Sequence, residues 1–348
     1  MHVDYIIVGF GLAGLALAEE LRARGKSFVV FENDSQTSSK VAGGMYNPVI
    51  LKRFTTVWDS EEQLEKALPF YEKLEKEFQT KYDYKVPIYR VFKSVEEQNN
   101  WFVAADKPRL SPYMKPDLNF ESFHGVPSKH GYGMLQGTGR IAVNQLLSDY
   151  TDKLKSEDKL VCSTFEYSKL KIQKEFHYDT FTADKIICCE GYGMKSNPFF
   201  KDLPLMGAKG ELLVIKAPAL KIDFLLKSGV FVMPLGAGLF KVGATFNWTD
   251  KTIDPTQEGK QELLEKLESV IDVPFEVVDH NAGIRPTVKD RRPLLGAHTT
   301  VKNLYVFNGL GTRGVMIAPK YAKILVEFIE DGEPLSDEVD ISRFYNLL

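Results

Sequence analysis

The chain opens with two short, unbroken apolar runs flanking a helical repeat. Tyr5-Ile6-Ile7-Val8 and Phe28-Val29-Val30-Phe31 are continuous and rich in β-branched and aromatic residues, the pattern of strands buried on both faces. Between them, Leu15-Ala16-Leu17-Ala18-Glu19-Glu20-Leu21 carries small and apolar residues at helical spacing, and Gly25 is placed to end that helix. The stretch from Glu61 to Lys81 predicts a helix with Leu64, Leu68, Tyr71, Leu74 and Phe78 on one side and a kink at Pro69. From Tyr84 to Leu135, runs such as Pro87-Ile88-Tyr89-Arg90-Val91-Phe92 alternate with Pro, Gly and Asn, which predicts antiparallel strands and loops. Helical spacing returns from Ile141 to Leu154. A hairpin built from Lys169 to Gln173 and His177 to Asp184 then feeds a strand from Lys185 to Cys189.

A second β-rich stretch follows. Gly210 to Ile215, Val230 to Pro234 and Leu239 to Thr245 read as strands of one antiparallel sheet, with a helix from Gln257 to Ile271. The last segment returns to the opening pattern: Leu304-Tyr305-Val306-Phe307, then Asn308-Gly309-Leu310-Gly311-Thr312-Arg313-Gly314, then an amphipathic helix from Ala318 to Ile329.

The first strand runs into Gly9-Phe10-Gly11-Leu12-Ala13-Gly14 and opens a helix, an arrangement that brings backbone N–H groups and a positive helix end against a pyrophosphate. Gly9 is expected to make the tight turn, Gly11 to let the backbone approach the phosphates, and Gly14 to let the helix pack closely on the strand. Glu32, 18 positions after Gly14, ends the second strand where a carboxylate accepts from ribose hydroxyls. A glycine triplet alone is equally a plain turn; both strands, the helix and the acid together point to a dinucleotide. The turn at Asn308 to Gly314 offers a second helix N-terminus to negative charge, and Glu190-Gly191-Tyr192-Gly193 predicts another close backbone approach.

Length and composition change the picture only by exclusion. The 348 residues, 44% apolar and 26% charged, suffice for one large or two intertwined domains. With 44 basic and 47 acidic residues the net charge is -3, so no overall signature of nucleic-acid binding exists, although a local basic face stays open. Asp4 and an immediate strand at the start, and no apolar run near about 18 residues, argue against a signal peptide or membrane span and for a cytoplasmic protein. Cys162, Cys188 and Cys189 lack the spacing of a zinc site or disulfide framework, and the adjacent pair reads as small buried hydrophobes. His124, His130, His280 and His298 have no metal-ligand spacing, so no metal is expected.

The order of motifs resembles the D-amino-acid oxidase and glycine oxidase superfamily of FAD-dependent enzymes. The resembling residues are Gly9 to Gly14 with Glu32, Ser38 to Met45, Ala183 through Gly191, Lys209-Gly210-Glu211, Val242 to Thr245, Ala282-Gly283-Ile284-Arg285-Pro286 with Asp290 and Pro293, and Gly309 to Pro319. The resemblance implies an α/β fold: a Rossmann-like FAD-binding domain with an inserted antiparallel-sheet substrate domain (α+β). It divides the chain into a discontinuous FAD-binding domain (1–84, 140–206 and 280–348) and a substrate or cap domain (85–139 and 207–279). FAD is implied rather than NAD, held non-covalently, because no cysteine stands near the C-terminal turn.

Carried over by position, Gly9, Gly11, Leu12, Ala13 and Gly14 are expected at the pyrophosphate, Glu32 and Asn33 at the ribose end, and Phe165 beside the adenine. Gly43, Gly44 and Met45, Gly191, and Leu310, Gly311, Thr312, Arg313, Gly314, Val315 and Met316 complete the expected cofactor surface. Arg285 matches the family's carboxylate-binding arginine, a role that suits a guanidinium fork. Arg313 is expected at the substrate carboxylate or at negative charge on the reduced flavin. Tyr46, Lys52 and Arg53 follow the flavin-facing loop, and Lys209 and Glu211 read more simply as a charged strand end than as cavity lining.

These residues imply oxidation of the C–N bond of a small amine or amino acid of the N-substituted glycine type, with water splitting the imine. The Gly309 to Gly314 turn, Gly332-Glu333-Pro334-Leu335 and Arg343-Phe344 also resemble the oxidase domain of the bifunctional enzyme making 5-methylaminomethyl-2-thiouridine in tRNA. That branch implies removal of a carboxymethyl group from a modified wobble uridine. A non-catalytic flavin-binding protein is the third reading. The sequence leaves the oligomeric state open.

Overall fold

The computed structural model describes residues 1–347. Its central strand, His2–Val8, pairs in parallel with Phe28–Phe31 on one side and Phe181–Cys188 on the other. Leu160–Val161 extends the sheet in parallel beyond Phe28–Phe31, and Leu304–Asn308 lies parallel to Phe181–Cys188, with Leu294–Ala297 antiparallel at its side. The continuous apolar runs follow from two-sided burial. Tyr5, Ile7, Phe28 and Val30 pack with helices Leu12–Ala23, Val143–Ser156 and Gly314–Asp331; Ile6, Val8, Val29 and Phe31 point the other way, toward Phe165, Tyr178 and Phe200. Full burial of each such side chain contributes about 1.5–3 kcal/mol, so no polar residue competes for these positions.

The second large sheet has eight strands in the order Glu276–Val288, Leu205–Lys216, Leu239–Gly243, Phe231–Gly236, Leu225–Lys227, Ile88–Val91, Tyr132–Leu135, Met114–Asn119. It is antiparallel except at one seam, where Leu225–Lys227 runs parallel to Ile88–Val91. Within each of the two stretches read as antiparallel the strands do pair antiparallel; the parallel seam lies between the stretches. The seam joins two pieces far apart in sequence, so no hairpin dictates its direction. Helix Gln257–Glu268 covers one face through Leu263 and Leu267; the other face presents Leu212 and Phe231.

Two local expectations fail for identifiable reasons. A helix, Val95–Ala105, lies within the stretch read as strands and loops. The Ser94 hydroxyl accepts from the Glu97 backbone N–H at 3.2 Å, an N-cap that Ser94-x-x-Glu97 encodes and that the polar run around Asn99 and Asn100 obscures. His177 to Asp184 is not one strand: Asp179 adopts φ +50°, so Phe176–Tyr178 turns back onto Phe181–Cys188. The helix Ser60–Phe78 contains Pro69 in its interior. No helix among the described residues is long and apolar enough to cross a membrane.

Gly14 supplies the contact on which the first helix depends, since a Cβ there would lie 2.2 Å from the Gly9 carbonyl oxygen. In an open helix, Gly→Ala gains about 1 kcal/mol of propensity. Here overpacking against backbone reverses the sign, and Gly14→Ala is expected to lose about 1–3 kcal/mol in urea unfolding. An unchanged or raised midpoint contradicts the close packing.

Candidate active site

A cavity of about 1090 Å³ lies between the two sheets and collects residues from the first turn, the Ser38 to Met45 loop, the cap sheet and the last turn. Gly9, at φ +97°, starts the first turn; a Cβ there would sit 2.7 Å from the Cys189 carbonyl oxygen, so no other residue fits. Gly11 caps the helix without a side-chain partner, and no acidic residue stands in the first turn. Leu12 N–H donates to Ser39 Oγ at 3.2 Å. The positive helix end therefore faces the cavity beside Gly11, Leu12 and Ala13. Gly14 does not line it; its place is in the packing just described.

Glu32 lines the cavity with its carboxylate held by its own loop. It accepts from the backbone N–H of Phe10, of Asn33 at 2.9 Å and of Asp34 at 2.6 Å. Three of roughly four acceptor positions are thus used, which leaves one for a ribose hydroxyl. Asn33 lines the same end, its amide donating to Thr164 Oγ1 at 3.1 Å. Phe165 stacks on Tyr178 with ring centroids 4.0 Å apart.

Gly43, Gly44 and Met45 run along the middle of the cavity. Gly44, at φ +68°, would place a Cβ 2.0 Å from the Ile141 carbonyl oxygen. Opposite, Leu310, Gly311, Thr312, Arg313, Gly314 and Val315 present a second helix start, with Arg313 at the cap and no side-chain capping bond. Met316 is 0% exposed in the core and does not line the cavity. Gly191 lines it, with its carbonyl accepting from the Asn308 amide at 2.8 Å.

Two guanidinium groups reach the cavity without carboxylate partners among the described residues. Arg285 Nη1 donates to the Thr245 carbonyl at 3.2 Å and the Lys209 carbonyl at 3.4 Å, and the guanidinium lies 4.2 Å from the Phe246 ring centroid. Gly210 makes room for it, since a Cβ there would fall 1.9 Å from Arg285 Nη2. Burial pushes Arg285 down to about 10, which leaves it cationic at neutral pH. Burial and the neighbouring Arg291 lower Arg313 as well. Positive charge without a counter-charge in a desolvated site is costly unless an anion completes it.

Other sequence candidates are sorted by the fold. Lys52 lines the cavity, Arg53 is exposed, and Tyr46 is buried with its hydroxyl donating to Asp83 at 2.8 Å. Lys209 and Glu211 are not a strand end: they sit inside Leu205–Lys216 and point away from the cavity. Lys209, 0% exposed, donates to Asp250 Oδ2 at 2.5 Å and Thr252 Oγ1 at 3.0 Å, while Glu211 accepts from Thr256 N–H at 2.9 Å and its hydroxyl at 2.8 Å. Together they anchor the segment that follows Phe246. Cys188 and Cys189 are buried, and burial pushes both thiols up, away from reactivity.

Sequence reasoning missed Phe231, Phe246, Glu190 and Lys227 as lining residues. The strand alternation carried a signal for Phe231. Glu190 heads the Glu190-Gly191-Tyr192-Gly193 turn already read as a close backbone approach, and nothing local marked Phe246 or Lys227.

Residues 4–328 match the family described as FAD dependent oxidoreductase. The chain belongs to the FAD-dependent oxidoreductase family. It is 23% identical to the glycine oxidase of Geobacillus kaustophilus over 96% of this chain and 94% of that protein. It is 28% identical to the tRNA 5-methylaminomethyl-2-thiouridine biosynthesis bifunctional protein MnmC of Azoarcus sp. over 44% of this chain and 28% of that protein. The match to the Pseudomonas aeruginosa glycine oxidase also spans less than half of that relative, 44%. In fold, the chain is similar to the crystal structure of the Geobacillus glycine oxidase, with TM-score 0.78, 20% identity and coverage of 99% and 98% of the two chains. It is also similar to iminodiacetate oxidase from Chelativorans sp., with TM-score 0.75, 17% identity and coverage of 98% of each.

For this FAD-dependent oxidoreductase the residues present fit the cofactor. The uncapped helix end at Gly11, the glycine positions that exclude a Cβ, and the fixed Glu32 carboxylate suit a dinucleotide; the second helix end and Arg313 suit the electron-rich end of a flavin. We assign Glu32 to the ribose. Glu32→Gln is therefore expected to weaken FAD binding about 10- to 100-fold, the worth of a hydrogen bond to a charged acceptor of about 1.5–3 kcal/mol. Titration of apoprotein by flavin fluorescence quenching measures it, and an unchanged dissociation constant contradicts the assignment.

Proposed function

We propose that this protein oxidises the C–N bond of an N-substituted glycine-type amine, with Arg285 holding the substrate carboxylate. The observation that carries this reading is a desolvated guanidinium, without a carboxylate partner among the described residues, in the cavity that the two glycine turns share. A guanidinium fork meets a carboxylate through two parallel N–H···O bonds, which fixes the adjacent carbon as well as the charge. Glycine oxidase and iminodiacetate oxidase, similar in fold, are both named for amines bearing a carboxylate on the neighbouring carbon.

When bound, FAD accepts the hydride equivalent that leaves the carbon beside nitrogen. Leu212, Phe231 and Phe246 give the substrate an apolar surround that limits water around that carbon. No histidine lines the cavity among the described residues, and Glu32 belongs to the ribose end. Of the other carboxylates that line the cavity, Glu190 accepts from the Asn197 amide and Glu262 is paired with Lys266, so the amine is taken to enter the site neutral, having left its proton in solvent. Water then adds to the imine, which separates into an amine and an oxo acid. Unpaired buried thiols suit a reducing, cytosolic site of action.

A specific observation also favours the tRNA reading. Away from Glu32 and Glu190, the charged cavity-lining residues are Lys52, Lys227, Lys266, Arg285 and Arg313 against Glu262 alone, in a chain of net charge -3. That entrance attracts an anion larger than a zwitterion. The reacting group would again be an amine with a carboxylate one carbon away, so Arg285 keeps its role.

Anaerobic addition of sarcosine to the FAD-loaded protein is expected to bleach the visible flavin band, while dimethylamine, which lacks the carboxylate, leaves it. Arg285→Ala is expected to retain FAD and to need about 10- to 100-fold more sarcosine for half-maximal reduction rate, the loss of one charge-assisted pair. Equal response of the variant and the parent protein removes Arg285 from the substrate site.

A further inference from the structure

Two positions beyond strand Phe181–Cys188, Glu190 stands beside the first glycine turn: a Cβ on Gly9 would lie 3.1 Å from the Glu190 Cα. Glu190 lines the cavity, and its carboxyl is held from the protein side. The fully buried Asn197 donates from Nδ2 to Glu190 Oε2 at 2.6 Å and to the Tyr167 hydroxyl at 2.8 Å. Asn197 Oδ1 accepts from the N–H of Phe199 at 2.8 Å and of Phe200 at 3.2 Å, which fixes the orientation of the amide and makes Glu190 Oε2 an acceptor.

Nothing on the protein balances a negative charge at this position. Beyond Asn197 and the Tyr167 hydroxyl no polar partner meets the carboxyl among the described residues, and no lysine, arginine or histidine pairs with it. Burial pushes Glu190 up, against the pull of those two groups. The titratable groups packed around it are Tyr167, Cys188 and Cys189, each pushed up by burial and so neutral. Glu32, which accepts from the Phe10 N–H in the same turn, adds a second acid to the region and no cation. A pyrophosphate at the helix start beside Gly11 brings more negative charge against this wall. An ionised Glu190 would repel it in a desolvated site, whereas a neutral carboxyl offers it an O–H donor.

We propose that this protein binds FAD together with one proton from solvent, which Glu190 holds and donates to the pyrophosphate. Oε2 stays with Asn197, and Oε1 carries the proton toward the cavity. The inference rests on the pyrophosphate lying at the first glycine turn and is independent of which amine is oxidised. Its pH dependence has a fixed sign. Bound FAD raises the carboxyl above its value in the empty site, so the added affinity is complete below the empty-site value and is lost as the pH rises toward the loaded one.

The test dilutes FAD-loaded protein at pH values between about 6 and 9 and reads the released flavin by fluorescence. The dissociation constant of the parent protein is expected to rise with pH at a slope approaching tenfold per unit, one proton per FAD. Glu190→Gln keeps an N–H donor and carries no charge. Its constant is expected to stay close to level and, at the alkaline end, to lie about tenfold below that of the parent. Glu190→Ala, level but without a donor, is expected to bind more weakly than Glu190→Gln throughout; equal binding by the two overturns the donated bond. Lys227, pushed down to about 8 by burial and by Arg90 and Lys266, loses charge in the same range, and its slope would persist in Glu190→Gln. Equal slopes in parent and Glu190→Gln therefore overturn the proposal. So does a level parent, or weaker binding by Glu190→Gln than by the parent at the alkaline end, the behaviour of an ionised acceptor. Far-UV circular dichroism shows whether the Glu190 variants fold. If they do not, the slope of Lys227→Gln decides: retained, it upholds Glu190, and lost, it overturns it.

Discussion

Backbone-to-backbone contact at three glycines is the constraint on which the rest of the structure depends. Gly9 lies against Cys189, Gly14 against Gly9, and Gly44 against Ile141, each closer than any Cβ permits. These contacts bring the first helix end, the Ser38 to Met45 loop and the strand ending at Cys188 to one cavity wall. There the helix start at Gly11, which has no capping side chain of its own, faces the cavity, with Ser39 Oγ accepting from the Leu12 N–H. The cap sheet closes the other side, and its own glycine, Gly210, leaves the space that the Arg285 guanidinium fills.

Electrostatics then divide the cavity. Its dinucleotide end is neutral or acidic in side chains, with Glu32 and Glu190, and relies on helix ends for positive potential. The rest of its wall is cationic through long side chains, and burial makes the charges of Arg285, Arg313 and Lys227 more effective than the same charges in water. A chain of net charge -3 thus gathers positive side chains along this part of its cavity. The buried Lys209 and Glu211 network contributes from behind, because it fixes the segment that carries Phe246 against Arg285. Phe246 is 57% exposed, so the arginine is screened from solvent on one side by a ring that itself faces water.

How much of this was legible in the sequence depended on whether the signal was local. His2–Val8 and Phe28–Phe31 were readable because burial on both faces leaves no polar position, and the glycine spacing was readable because it answers a local steric demand. Helix Val95–Ala105 was missed because its cap is local but its apolar face is thin. Arg285 came from family resemblance, not from pattern. Lys227 and Phe246 were beyond reach: a lysine on a short strand reads as surface, and only the parallel seam with Ile88–Val91 places it beside Arg90. Lys209 misled for the opposite reason, since its partners, Asp250 and Thr252, lie some forty residues away in the chain.

The central claim is that Arg285 orients a carboxylate beside FAD. A crystal structure of the FAD-loaded protein with methylthioacetate, a carboxylate with no amine to oxidise, tests it most directly. The carboxylate is expected on the Arg285 guanidinium with the methylthio group toward the flavin. A carboxylate bound elsewhere, with Arg285 still donating to the Thr245 and Lys209 carbonyls, would contradict it.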